Sequence, residues 1–418
     1  MLTSLALVFL VGLAMASICG RLRLPRIIGM LATGIVLGPY VLDFLDSSIL
    51  GISAELRQIA LVIILIKAGL SLNIKDLKSV GRPAVLMSFV PALFEIAAFV
   101  LLAPALLAVT PLEAAIMGAV LGAVSPAVVV PKMVHLMKRG YGTDKSIPQL
   151  ILAGASLDDV FVIVLFGAFV GIAQGGSASV MDFVSIPISI ALGIALGAAV
   201  GLLLALFFET SYAHKHCIRN SMKTLIVLGF AFLMLAIEGW LAPVVSVSGL
   251  LAVMSMACSL QMHSVARVSA RLSEKFGKLW LAAEVILFVL VGAAVDIRYT
   301  MEAGLMAVLL ILIALVFRSA GVLLCLIGTA LNHKERLFCV IAYLPKATVQ
   351  AAIGSVPLAL GLPCGKMVLS VAVLSILITA PLGAWGMEAS HRRLLAKQPV
   401  ADCQSPFFVL ECKSNRYK

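Results

Sequence analysis

Charge is what this sequence has least of: only 12% of its residues are Asp, Glu, Lys or Arg, and long polar stretches are missing. A soluble chain of this length would show polar helix faces at regular spacing, and here the apolar runs of around 20 residues are apolar nearly all round. No CxxC pair occurs, and the eight cysteines (Cys19, Cys217, Cys258, Cys325, Cys339, Cys364, Cys403, Cys412) are scattered singly, which excludes a sequence-legible zinc site or disulfide framework. Histidine is missing from the middle of every apolar run. His135, His214, His216, His263, His333 and His391 all fall in or beside the basic connections, so a proton carrier at mid-membrane depth has to be a carboxylate or a lysine.

What remains is 62% hydrophobic, with a mean hydropathy of +1.14, and reads as an all-α polytopic membrane protein. About thirteen spans are predicted, at 2–19, 26–42, 57–73, 84–107, 112–136, 147–173, 182–208, 222–240, 242–262, 277–296, 301–330, 335–360 and 365–390. Alternate connections hold most of the 31 basic residues; the opposite connections hold Arg57, Arg298 and Lys366. The positive-inside rule then sets the N-terminus outside and the C-terminus in the cytoplasm. The net charge of +11 is accounted for by topology and lipid contact rather than by nucleic acid. The first run lacks a positive n-region and its arginines follow it, so it reads as a retained N-out helix rather than a signal peptide. The short stretch after the last span leaves no room for a soluble regulatory domain within this chain.

Two spans carry a proline near their middle: Pro126 in "GAVLGAVSPAVVVPKM" and Pro345 in "AYLPKATVQAAIG". Proline removes a backbone donor and collides with the preceding turn, so both helices are expected to unwind near the bilayer centre. The two spans are seven apart in chain order, an odd number, and each is the fourth helix of its five-span unit. That spacing predicts inverted repeats whose two broken helices cross, with a binding site where they meet. Unwound backbone at that depth has to be buried in protein or line a wet cavity.

Five ionisable residues share one level with the breaks. At about 1.5 Å per residue, the midplane of a core about 30 Å thick lies about ten residues into a span. Asp158, Asp159, Glu95 and Lys346 fall near that depth, Ser125 a little beyond it, and Arg318 at a similar level on a long, tilted span. Each lone charge there costs roughly 2.5–3.5 kcal/mol on insertion scales, so partners are required. The expected pairing is Glu95 with Arg318 and Lys346 with Asp158, leaving Asp159 free; adjacent helical residues point about 100° apart and cannot share a partner. A carboxylate set between desolvation and nearby cations can hold either a proton or a dehydrated Na⁺ or Li⁺, with the Ser125 hydroxyl and freed carbonyls as further oxygens. Thr348 and Gln350 beside the second break are possible further members, as is Glu284, which either lines an inner funnel or caps a helix. Mutually exclusive occupancy with alternating exposure yields cation/proton exchange. A merely structural set of ion pairs is the bland alternative.

At these residues the chain resembles the cation:proton antiporter superfamily, in particular its NHA-type sodium/proton branch. The carriers are "GAVSPAVVVP" (Gly122 to Pro131), "GASLDDV" (Gly154 to Val160), "FRSAG" (Phe317 to Gly321), "PKATVQAAIG" (Pro345 to Gly354) and "TAPLGAWG" (Thr379 to Gly386). The resemblance implies a homodimer in which a transport core (84–174 and 301–392) moves against a scaffold (1–83 and 209–300), with 175–208 as a linker helix and 393–418 as a short cytoplasmic tail. It implies that Asp159 is the principal ion-binding and protonating carboxylate (the Na⁺/Li⁺ ligand), with Asp158 its neighbour, Arg318 and Glu95 a buried pair, and Lys346 the crossover lysine. No cofactor is implied beyond the transported Na⁺ or Li⁺ and H⁺, and the expected setting is the plasma membrane, here a bacterial inner membrane. Val124-Ser125 stands where many bacterial relatives have Thr-Asp, and Arg318 where they have a lysine. Two rivals are weighed against this: a sodium-coupled symporter of an organic anion on a similar fold, and an intramembrane aspartyl protease, which would need its two aspartates on separate helices. A passive channel would need a filter sequence, and none is seen.

Overall fold

The computed structural model describes residues 1–22, 24–71, 81–175, 180–213, 219–241 and 247–398. Cys217, His214, His216, Cys403, Cys412, much of the basic connections at 72–80 and 214–218, and the tail from 399 lie outside the described residues. Every named element among the described residues is a helix: α1 (Leu2–Arg21), α2 (Arg26–Leu37), α3 (Ser47–Gly51), α4 (Ser53–Ser71), α5 (Arg82–Met87), α6 (Val90–Leu107), α7 (Pro111–Leu121), α8 (Pro126–Lys138), α9 (Ile147–Gly175), α10 (Val180–Ala213), α11 (Asn220–Leu241), α12 (Gly249–His263), α13 (Ala266–Ala293), α14 (Ile297–Cys325), α15 (His333–Ala342), α16 (Thr348–Gly354), α17 (Val356–Ala359) and α18 (Gly365–Leu394).

Nine of the described segments are helical, long and apolar enough to cross a membrane. With α2, α4, α12 and the interrupted 333–359 segment they account for the thirteen predicted spans. The helices sort into two packed groups. In one, α13 lies against α2 and α4, while α12 lies against α4, α10 and α11. In the other, α6 packs along α14, α9 packs on α7 and α8, and α18 packs on α15, α16 and α17. The groups touch where α4 and α13 meet α16 and where α9 meets α12. The helix 180–213 leans chiefly on α12, with Ser255 and Ser259 donating 2.8 Å hydrogen bonds to the Ile194 and Ala198 carbonyls.

Close packing in the first group rests on small residues, as expected where lipid supplies no hydrophobic drive between helices. A side chain on Gly34 would run into the Val289 carbonyl, and one on Gly292 into the Leu31 carbonyl, so α2 and α13 cross backbone to backbone. The half-helices start on strong local signals. Thr110 with Glu113 and Asn332 with Glu335 form capping boxes at the starts of α7 and α15, satisfying donors that a helix start leaves free.

Both predicted interruptions are present. α7 stops at Leu121 and α8 resumes at Pro126; α15 stops at Ala342 and α16 resumes at Thr348. Pro126 is the first residue of its half-helix, where its missing N–H costs nothing, so the unwound residues precede it. Pro345 lies inside the second break. The breaks touch: the Ser125 N–H donates to the Pro345 carbonyl at 2.8 Å.

Candidate functional site

Each break frees backbone groups that cannot be left bare at this depth. On the first, the Leu121 carbonyl accepts from Lys346 Nζ, the Gly122 carbonyl from Arg318 Nη1, and the Ala123 carbonyl from Gln350 Nε2 at 2.8 Å. On the second, the Tyr343 carbonyl accepts from Arg318 Nε at 2.8 Å. Both cations therefore stand at the negative, C-terminal ends of half-helices. The free N–H groups face oxygen instead. Val124 donates to Asp158 Oδ2 at 2.8 Å, Lys346 to Thr379 Oγ1 at 2.9 Å, and Ala347 to Gln350 Oε1 at 2.8 Å.

Around this backbone runs a closed ionic network. Arg318 reaches Glu95 Oε2 through Nη1 and Asp158 Oδ2 through Nη2, each at 2.8 Å, and Lys346 Nζ reaches Glu95 Oε2 at 2.5 Å. The predicted Glu95–Arg318 pair is present. The predicted Lys346–Asp158 pair is not: Lys346 pairs with Glu95, and Arg318 takes Asp158. The reason is geometric. The guanidinium presents five donors in a planar fork and bridges two carboxylates, whereas the ammonium, drawn to the end of α7, finds Glu95 on the adjacent α6.

Two cations and two acids cancel, and all four side chains are at most 1% exposed. The fifth charge is left over. Asp159 makes no ion pair or side-chain hydrogen bond among the described residues; its Oδ1 is buried without a partner, and it alone of the five acidic and basic residues retains 6% exposure. The Ser125 hydroxyl is fully buried and lies 3.5 Å from Thr348 Oγ1, at the edge of hydrogen-bonding range, so it is not strongly committed. Gln350 is committed, because its amide ties the two breaks together. Glu284 is absent from this cluster. It sits on α13 in the field of Lys67 and Arg26, with Lys67 placed 5.7 Å from the Trp280 ring centre. Among the described residues no three His, Cys, Asp or Glu side chains converge as a metal cage, so a cation here would draw on one free carboxylate and uncharged oxygens.

Three contributors escaped the sequence reading. Thr379 caps the Lys346 N–H, and its signal was a threonine in an apolar span, within "TAPLGAWG". Tyr343 lies beneath Arg318, ring centre 5.6 Å from the guanidinium carbon. Gly154 leaves space that the Tyr343 hydroxyl fills. Nothing in the pattern of residues distinguishes these two from ordinary packing.

Crossed, interrupted helices enclosing paired charges and one uncompensated carboxylate define an ion transporter of the broken-helix class. A family model described as "Sodium/hydrogen exchanger, transmembrane" matches residues 5–387, and the chain belongs to that family. It is 34% identical over 385 residues to human sodium/hydrogen exchanger 9B2, covering 90% of this chain and 70% of the relative. Human sodium/hydrogen exchanger 9B1 is 31% identical over 395 residues, covering 90% and 73%. Among solved structures, the sodium proton antiporter MjNhaP1 from Methanocaldococcus jannaschii at pH 8 superposes with a TM-score of 0.81 at 22% identity, covering 94% of this chain and 98% of that one. That likeness carries the fold.

Proposed function

We propose that this sodium/hydrogen exchanger family member swaps Na⁺ or Li⁺ for H⁺ by alternating access, with Asp159 taking cation and proton in turn. One observation carries the assignment. Among the described residues, Asp159 is the single charge at the crossed breaks that has no ion-pair partner. A bound proton or a bound monovalent cation each neutralises it, so either loaded form can be carried past an apolar seam. The empty form keeps a net charge and is held back by the cost of desolvating it. That asymmetry couples the two fluxes. The Ser125 hydroxyl supplies a further oxygen to a hard cation, with Thr348 beside it. Asp158, Arg318, Glu95 and Lys346 hold the breaks open rather than bind cargo.

On this reading the core (84–174 and 301–392) moves against the scaffold (1–83 and 209–300), and the seam of α16 with α4 and α13 is where they slide. The segment 175–208 links the two bodies. We further propose a homodimer in the plasma membrane, a bacterial inner membrane, with the N-terminus outside, lipids as the surrounding partners, no cofactor and no enzymatic chemistry. The symporter alternative is disfavoured because Gln350, the amide it would offer an organic anion, is occupied by Ala123 and Ala347. The protease alternative is disfavoured because Asp158 is bound to Arg318.

The test is reconstitution into liposomes with an imposed pH gradient, following proton movement evoked by Na⁺, Li⁺ or K⁺. Asp159→Asn is expected to abolish the response to Na⁺ and Li⁺. Undiminished exchange in that variant overturns the assignment.

A further inference from the structure

The Tyr343 side chain is wholly buried, yet its hydroxyl has no hydrogen-bond partner among the described residues. That is unusual for a tyrosine, which commonly finds a partner for its oxygen when enclosed. The hydroxyl lies against α9 at Gly154, where any larger residue would collide with it. Asp158 is four residues further along the same helix, hence on the same face. Its Oδ2 is fully used by Arg318 and the Val124 N–H, while its Oδ1 is buried and also without a protein partner.

Helix geometry brings these two orphaned atoms to the same face of α9. Four residues of helix rise about 6 Å, and helical side chains lean toward the N-terminal turn, so the Asp158 carboxyl leans back over Gly154. A direct hydrogen bond between them is not made. A donor hydroxyl on one side and a carboxylate oxygen on the other are chemically suited to hold one bridging water.

We propose that Tyr343 and Asp158 together form a site for a single ordered water, and that Tyr343 is a positioning residue for Asp158. Through its ring it supports Arg318 and through its hydroxyl and this water it occupies Asp158 Oδ1, so both oxygens of Asp158 are engaged and Asp159 alone is open to cargo. The water site itself does not depend on which carboxylate carries the transported ion.

The test combines a map and a spectrum on the full chain in lipid nanodiscs. High-resolution cryo-electron microscopy of the wild-type protein is expected to show a solvent peak about 2.7–3.2 Å from both Tyr343 Oη and Asp158 Oδ1. Tyr343→Phe, which keeps the ring beneath Arg318, is expected to lose that peak while retaining the Arg318–Asp158 contact. In difference infrared spectra Tyr343→Phe shifts a carboxylate band in the wild-type background and shifts none in an Asp158→Asn background, a signature that ring packing alone does not produce. A wild-type map with no solvent at this position, or a band shift that survives in Asp158→Asn, overturns the proposal. Should the Phe variant fail to fold, the wild-type map decides.

Discussion

Neighbouring aspartates on α9 offer a sharp contrast, because one is locked into a neutral network and the other stands alone. Asparagine is close in shape to aspartate, so substitution at either position removes charge with little change of volume. At Asp158 the loss takes away one of the two carboxylates on Arg318, in a pair with no measurable exposure. Breaking a buried ion pair from one side costs about 3–5 kcal/mol because the remaining charge is stranded. Arg318 keeps Glu95 and the Gly122 and Tyr343 carbonyls, so the lower end applies: about 3 kcal/mol, or roughly a hundredfold in the folding equilibrium. At Asp159 nothing is stranded. The lone charge carries a cost of up to roughly 2.5–3.5 kcal/mol, so Asp159→Asn is expected to be neutral or stabilising. Thermal unfolding of both variants in one detergent, followed by intrinsic fluorescence, reads the difference. If Asp159→Asn unfolds at the lower temperature, the division of labour between the two aspartates is wrong and the network drawn around Arg318 with it.

Other consequences are open to measurement. Lys346→Gln strips one cation from Glu95 and leaves the Leu121 carbonyl only a 3.5 Å contact from Gln350 Nε2; a destabilisation of about 3 kcal/mol is expected. A Glu95→Gln/Lys346→Gln double-mutant cycle is expected to show at least about 1 kcal/mol of coupling in the same unfolding assay. Gln350→Leu leaves the Ala123 carbonyl and the Ala347 N–H bare, at about 1–3 kcal/mol for each buried group, and loosens the crossing; thermal stability and Na⁺-evoked exchange are both expected to fall. Gly154→Ala overpacks against the Tyr343 hydroxyl and is expected to lose about 1–3 kcal/mol, partly restored by adding Tyr343→Phe. Because a proton and a cation compete for one carboxylate, acidification below that group's own titration is expected to raise the apparent KM for Na⁺ about tenfold per pH unit. A KM independent of pH in that range argues against competition at one group.

Legibility from the sequence differed by kind of feature. The spans and the breaks could be read locally. An apolar run all round has only the bilayer to face, and a proline or a capping box acts on its own turn whatever surrounds it. The level of Asp158, Asp159, Glu95 and Lys346 followed from counting residues, since helix rise is fixed. Partners followed only in part: Glu95 meets Arg318 as expected. Lys346 was expected at Asp158 and is found at Glu95, because depth along the membrane normal says nothing of direction within its plane. Glu284 looked like a candidate by its charge, and only packing shows that its charged neighbours are Lys67 and Arg26 rather than the groups at the breaks.

What the amino-acid sequence by itself determined is therefore the membrane class, the two interruptions, and a surplus of one acid over the cations at the middle depth. Such properties depend on composition and on local backbone chemistry. Asp159 was already expected to be the surplus acid, but through a Lys346–Asp158 pair; the partners that leave it over were decided by the tertiary structure. Arg318 spans Glu95 and Asp158, and Tyr343, Thr379 and Gln350 satisfy or support the unwound chain around them, through contacts between residues far apart in the sequence. Asp159 is left without an ion-pair partner among the described residues because those longer-range contacts engage both Arg318 and Lys346.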